Sequence, residues 1–161
     1  MNPNSNQFIS VMSSPFKSRL FMFTKLPAAY FSGVKVQQLT AEKAVVTVPF
    51  KWFSQNPFRS TYFACLSMAA EMSTGLLAMM QIYQRSPAVS MLVVKVESTY
   101  FKKATGLTSF TCNTGKDFEQ IVDDCIADGE ARSYTAKSTG INDAGEVVAE
   151  FFITWSFKAK K

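Results

Sequence analysis

The stretch NPFRSTYFACLSMAAEMSTGLLAMM, residues 56–80, decides how this chain folds. It is mostly apolar or small and holds a single carboxylate, Glu71. Its apolar run, residues 62–80, is interrupted by Ser67, Glu71, Ser73 and Thr74, which makes it a core helix rather than a membrane span. Asn56 or Ser60 is the expected N-cap, with Pro57 near the first turn and Pro87 beyond the end. A carboxylate in the middle of a buried helix must be paired, protonated or put to use. On a helix Glu71 shares its face with Ser67, Met68, Thr74 and Gly75, and a further turn away with Ala64 and Ala78. All but Met68 are small, so the face around the acid is recessed and leaves room for a partner helix or a ligand.

On the N-terminal side, Phe16, Leu20, Phe21 and Phe23 recur near helical spacing before Pro27. This predicts a short amphipathic helix, within an extension over residues 1–29, that packs on the core. The alternative for its Lys17, Arg19 and Lys25 is contact with a membrane surface. GVKVQQL and AVVTVPF then form a hairpin across TAEK.

Beyond the helix, SMLVVKVESTYF alternates through Leu92, Val94 and Val96, and GLTSFTCNT follows. DFEQIVDDCIADG is expected to hold a short acidic helical turn. EARSYTAKSTGI and EVVAEFFITWSF flank NDAG as a last hairpin. In its second strand Val147, Ala149, Phe151, Ile153, Trp155 and Phe157 share one face. The predicted order is helix, two strands, a long apolar helix and four strands. That is an α+β chain, one domain over residues 1–161, with an antiparallel sheet around one central helix.

Composition narrows the chemistry. Of 161 residues, 47% are apolar and 18% charged, the balance of an ordinary globular protein. Fifteen Phe point to a core or cavity lined with rings. The net charge of +5, with Lys158, Lys160 and Lys161 at the end, mildly favours anionic partners. It is the only feature behind a nucleic-acid role, so no nucleic acid is expected. Histidine is absent, which excludes Ser-His-Asp triads, Cys-His pairs and imidazole metal sites. Cys65, Cys112 and Cys125 make neither a disulfide framework nor a CxxC site, so no metal and a reducing cytoplasm are expected. The polar start MNPNSNQFIS lacks the order of a signal peptide.

With these residues, the element order resembles the hot-dog fold of the acyl-CoA thioesterases. More narrowly, it is similar to the branch related to phenylacetate-pathway thioesterases. There an Asn opens the loop before the central helix, an acid follows fifteen residues later, and a small pair lies just beyond. Asn56, Glu71 and the pair Thr74 and Gly75 match this pattern. VESTYFKKATGLTSFTC and GEARSYTAKSTGINDAGEVVAEFFITWSFK also resemble the family's later strands, so the likeness covers about residues 30–158. One departure is plain: relatives carry His-Gly-Gly at the helix entrance, where this chain has Tyr62, Phe63 and Ala64.

The resemblance implies hydrolysis of an acyl thioester to free acid and coenzyme A by a homodimer or tetramer. Coenzyme A is then part of the substrate, and no further cofactor is expected. Glu71 would be general base or nucleophile, and Asn56 would orient water or substrate across a dimer interface. The departure at residues 62–64 supports an alternative, a non-catalytic hot-dog protein that binds acyl-CoA or fatty acid.

The residues themselves leave choices open. Burial would raise the pKa of Glu71 towards that of a useful base. The alternative is a structural Glu held by Ser67, Thr74 or a partner subunit. Free N–H groups over residues 60–63, with the hydroxyls of Ser60 and Thr61, would form an oxyanion hole, or simply cap the helix. Tyr62, Phe63, Ala64 and Gly75 are candidate substrate-lining positions. Tyr83, Tyr100 and Phe101 join the first two as lining for an acyl tunnel or as core. Lys102, Lys103 and Lys116 either meet coenzyme A phosphates or are solvated turn lysines. Cys65 is read as core.

Overall fold

A computed structural model describes residues 2–160. Three helices come first: α1 (Ser5–Ser13), α2 (Pro15–Lys25) and α3 (Pro27–Ser32). Strands β1 (Lys35–Leu39) and β2 (Ala44–Val48) form the expected hairpin. The helix α4 (Phe63–Ile82) follows, then β3 (Val89–Tyr100), β4 (Thr108–Cys112), α5 (Gly115–Asp128), β5 (Arg132–Asn142) and β6 (Val147–Ala159). The strands make one six-stranded sheet in the order β1-β2-β4-β5-β6-β3, antiparallel throughout. The long helix packs against it, as the sequence predicts.

Two small polar side chains of the helix meet the sheet: Ser73 Oγ lies 2.7 Å from Ser138 Oγ on β5, and Thr74 Oγ1 accepts from Trp155 Nε1 on β6. Ala69, Ala70 and Ala78 are completely buried, and so are Phe110, Phe151, Ile153 and Phe157 on the strands. All of them belong to one core of buried side chains. At twenty residues α4 is long and apolar enough to cross a membrane, but here most of it is buried in the chain's own fold.

Four sequence expectations change. The helix starts at Phe63, not near Asn56, because residues 56–61 form a separate loop whose Thr61 N–H donates to the Ala104 carbonyl. The acidic turn is a full helix, α5, with Phe118, Val122 and Cys125 buried at helical spacing and Gly129 closing it at φ 76°. The last strand alternates as predicted from Ala149 to Phe157. A register shift beside Gly140 then buries Val148 and exposes Val147.

The fourth change lies in the N-terminal extension. Pro27 ends α2 but also starts α3, the position where its missing N–H costs nothing. On α2 the buried residues are Ser18 and Met22, while Phe16, Leu20 and Phe23 are exposed. Of the predicted stripe Phe21 packs on the core, while Phe16, Leu20 and Phe23 do not. Instead the first residues close the far end of α4, where Asn2 Nδ2 donates to the carbonyls of Met80 (2.9 Å) and Tyr83 (2.7 Å).

Gly140 offers a check on this packing. A Cβ there would sit 2.5 Å from Cε1 of the buried Phe110 ring, which pairs opposite it. Gly140→Ala should lower stability by about 1–3 kcal/mol in urea denaturation. The cost should shrink in a Phe110→Leu background, because the two positions share one contact.

Candidate active site

Glu71 lies in the middle of α4, half-buried. A recess of about 250 Å³ opens beside it, lined by Met12, Phe21, Leu26, Gly75, Met91 and Trp155 among others. A second recess of about 250 Å³, against Lys25, Pro27 and Met68, reaches the same carboxylate from the α2–α3 junction. Gly75 is needed for this approach. A Cβ on it would meet the Trp155 ring at 3.1 Å and Glu71 Oε1 at 3.3 Å.

Among the described residues, no hydrogen bond or ion pair reaches the Glu71 carboxylate. The Thr74 hydroxyl donates to the Glu71 backbone carbonyl (2.9 Å) and accepts from Trp155 Nε1 (2.9 Å), so it has no proton left for the carboxylate. Neither Ser67 nor Thr74 holds the acid in place. Burial alone pushes the Glu71 carboxyl above its ordinary value of 4.5.

The loop before α4 builds a different pocket. A cavity of about 560 Å³ is lined by Asn56, Ser60, Thr61, Tyr62 and Phe63, and across from them by residues 100–104. Asn56 organises this loop rather than capping the helix. Its Oδ1 accepts from the N–H groups of Phe58 (2.9 Å) and Ser60 (3.3 Å), and its Nδ2 donates to Ser60 Oγ (3.1 Å). The N–H groups expected to serve an oxyanion are largely spent. Those of Thr61 and Tyr62 donate to the carbonyls of Ala104 and Ser54, each at 2.7 Å. The free helix-start donors are those of Phe63 and Ala64, which have no acceptor four residues earlier in the helix.

The remaining candidates divide. Tyr62 and Phe63 are exposed with ring centroids 4.9 Å apart, and with Tyr100 and Phe101 they flank the loop pocket. Tyr83 is elsewhere, packed on Phe8 at the other end of α4. Ala64 is half-buried and borders neither recess. Gly75 belongs to the Glu71 recess. Lys102 and Lys103 rim the loop pocket, Lys102 paired with Glu146. Cys65 is buried against Ser32, a core residue as expected.

Sequence reasoning missed Met12, Phe21, Leu26, Met91 and Trp155 as walls of the Glu71 recess. Two of them left a trace: Phe21 as a member of the stripe expected to pack on the core, and Trp155 as an inward position in the alternation of β6. Within one chain Glu71 and the start of α4 are eight residues apart, or about 12 Å along the axis. The acid and the loop pocket are thus separate features of a single copy.

The unpaired acid has a thermodynamic signature. Between pH 4.5 and its raised folded pKa, the native state binds more protons at Glu71 than the unfolded chain does. Stability from this residue therefore falls as pH rises through that window. Glu71→Gln should be more stable than wild type at neutral pH, and the difference should vanish as pH drops towards 4.5. Denaturation of both proteins across that range measures it.

Several solved structures share the fold. A protein from Chlorobaculum tepidum described as of unknown function superimposes with a TM-score of 0.76, covering 94% of this chain and 99% of its own at 14% identity. A Pseudomonas aeruginosa protein described as a probable thioesterase gives 0.76, with 93% and 99% covered at 18% identity. A Haemophilus influenzae thioesterase gives 0.66, with 91% of each chain covered at 7% identity. These likenesses fix the architecture as the hot-dog fold. No curated protein matches the chain by sequence. The narrower likeness to the phenylacetate-pathway branch stays a resemblance. A family model does match, across residues 17–157, and the chain accordingly belongs to the family described as Domain of unknown function (DUF4442).

Proposed function

We propose that this protein hydrolyses acyl thioesters, with coenzyme A thioesters as the substrate class and Glu71 as general base. The observation that carries the reading is a desolvated carboxylate without a partner, beside an apolar recess. A structural acid would be held by donors, and this one is held by none among the described residues. Desolvation makes it a stronger base, suited to taking a proton from water. The hydroxide so formed adds to the thioester carbonyl carbon. The carbon–sulfur bond then breaks, and the thiolate leaves with a proton returned from Glu71. The thioesterase descriptions of two fold relatives agree with this chemistry.

The 12 Å gap between Glu71 and the loop pocket favours a site completed by a second copy. β3 is an edge strand of twelve residues with Leu92, Val94 and Val96 exposed, an edge that invites pairing. Antiparallel pairing of β3 with its counterpart sets the end of one strand beside the start of the other. The loop pocket adjoins that end through residues 100–103, and the Glu71 recess adjoins the start through Met91. One copy's loop pocket, with the Phe63 and Ala64 N–H groups and the rim lysines, would then face the other's Glu71. A homodimer gives two such sites.

Thiol release from short, medium, long and aromatic acyl-CoAs tests the chemistry. Glu71→Gln should lower kcat/KM by at least about 100-fold, and the wild-type profile should rise with a pKa above 4.5. Binding without turnover across the panel would assign the chain to a carrier role instead.

A mixing experiment tests the shared site. Asn56→Ala and Glu71→Gln are each expected to be inactive as homodimers. Randomly reassorted, they should regain about a quarter of wild-type activity, since half the dimers are mixed and each has one intact site. No recovery from demonstrably mixed dimers would place the whole site within one chain.

A further inference from the structure

The stripe Phe16, Leu20 and Phe23 on α2 faces outward, with Phe16 77% exposed. It does not stand alone. Phe23 meets Phe31 at 6.3 Å between ring centroids, Phe31 meets Phe53 at 5.8 Å, and Phe53 meets Trp52 at 4.8 Å. Trp52 is 74% exposed. A shallow groove between Phe16, Leu20, Phe23 and Tyr30 continues the surface. So many contiguous exposed rings on one face mark an interaction site rather than scattered surface residues.

The charges around this face have one sign. Residues 1–41 contain Lys17, Arg19, Lys25 and Lys35 and no Asp or Glu. By helical spacing Lys17 and Arg19 flank the apolar stripe on opposite sides. The Arg19 guanidinium lies 3.8 Å over the Tyr30 ring, and Lys51 precedes Trp52 and Phe53. Rings in the centre with cations at the rim is the pattern of an interfacial anchor, where rings sit at the acyl boundary and cations reach headgroups. A second copy docked face to face would instead bring these like charges together.

We propose that this aromatic face docks on the surface of an anionic lipid bilayer. The rings of Phe16, Phe23, Phe53 and Trp52 enter the interface, and Lys17 and Lys51 lie against the anionic headgroups. This inference is independent of the chemistry at Glu71. It does have a consequence for that site: α2 also supplies Phe21 to the wall of the Glu71 recess, so the docked helix sets that recess close to the membrane.

The full chain carries its own reporter. Trp155 is 4% exposed and Trp52 74%, so a change in tryptophan emission on mixing with vesicles reports Trp52. With vesicles of phosphatidylcholine and phosphatidylglycerol, emission should shift to the blue and the protein should co-sediment. Trp52→Phe should lose the shift and keep most of the sedimentation. The double variant Phe16→Ser, Phe23→Ser should weaken partitioning by roughly a hundredfold, with an unchanged circular dichroism spectrum. Lys17→Gln and Lys51→Gln should each weaken it about fivefold.

Three results would overturn the proposal. One is absence of sedimentation with anionic vesicles. A second is equal binding to pure phosphatidylcholine. The third is a Phe16→Ser, Phe23→Ser variant that changes the oligomeric state in lipid-free solution and leaves vesicle binding intact, which would assign the face to a second copy.

Discussion

The seating of α4 against the sheet is the constraint on which everything else rests. Ser73 meets Ser138 and Thr74 meets Trp155, and Phe110, Phe151 and Phe157 are buried on the sheet side of the core. Burying one of these rings contributes about 1.5–3 kcal/mol relative to leaving it exposed, so the helix has no comparable alternative position. Its rotation about its own axis is thereby fixed, and with it the direction of every side chain it carries. Gly75 falls against Trp155, and Glu71 one turn earlier falls into the recess they share.

Burial of that acid without a hydrogen bond is costly, and a fold under no functional demand has a simple remedy. Gln would occupy the same volume without charge, and a rotated Thr74 hydroxyl would supply a donor. Neither is present: Thr74 is committed to the Glu71 carbonyl and to Trp155. Thr74 and Trp155 therefore hold the backbone and ring around the carboxylate and leave the carboxylate itself open to whatever enters. The same geometry keeps the acid away from the loop that Asn56 folds around its own side chain. The two features meet only if another copy brings them together along β3.

Periodicity revealed what depends on neighbours in sequence. The core helix, the β1–β2 hairpin and the inward residues of β6 were legible because one face of each element is buried over several repeats. Residues 115–128 read as a single acidic turn because acids fill the solvent face of α5, although Phe118, Ile121, Val122 and Cys125 carry the helical spacing. Asn56 was legible as a special position but not as a loop organiser, since a capping Asn and an Asn closing its own turn look alike in sequence. The walls of the Glu71 recess were hidden for a different reason. Met12, Phe21, Met91 and Trp155 come from four elements, and only the tertiary fold sets them around one carboxylate. The exposed stripe of α2 was visible as a stripe, but spacing alone does not say whether a stripe faces the core or the outside.

The central claim is that Glu71 is desolvated and has no hydrogen-bond or ion-pair partner among the described residues. Its side-chain carboxyl can be followed directly by carbon-13 NMR during a pH titration, with Glu71→Gln identifying the resonance. An inflection above the ordinary value of 4.5 is expected while the surrounding fold remains intact. An inflection at or below 4.5 would mean that donors or solvent stabilise the carboxylate, and would contradict the account.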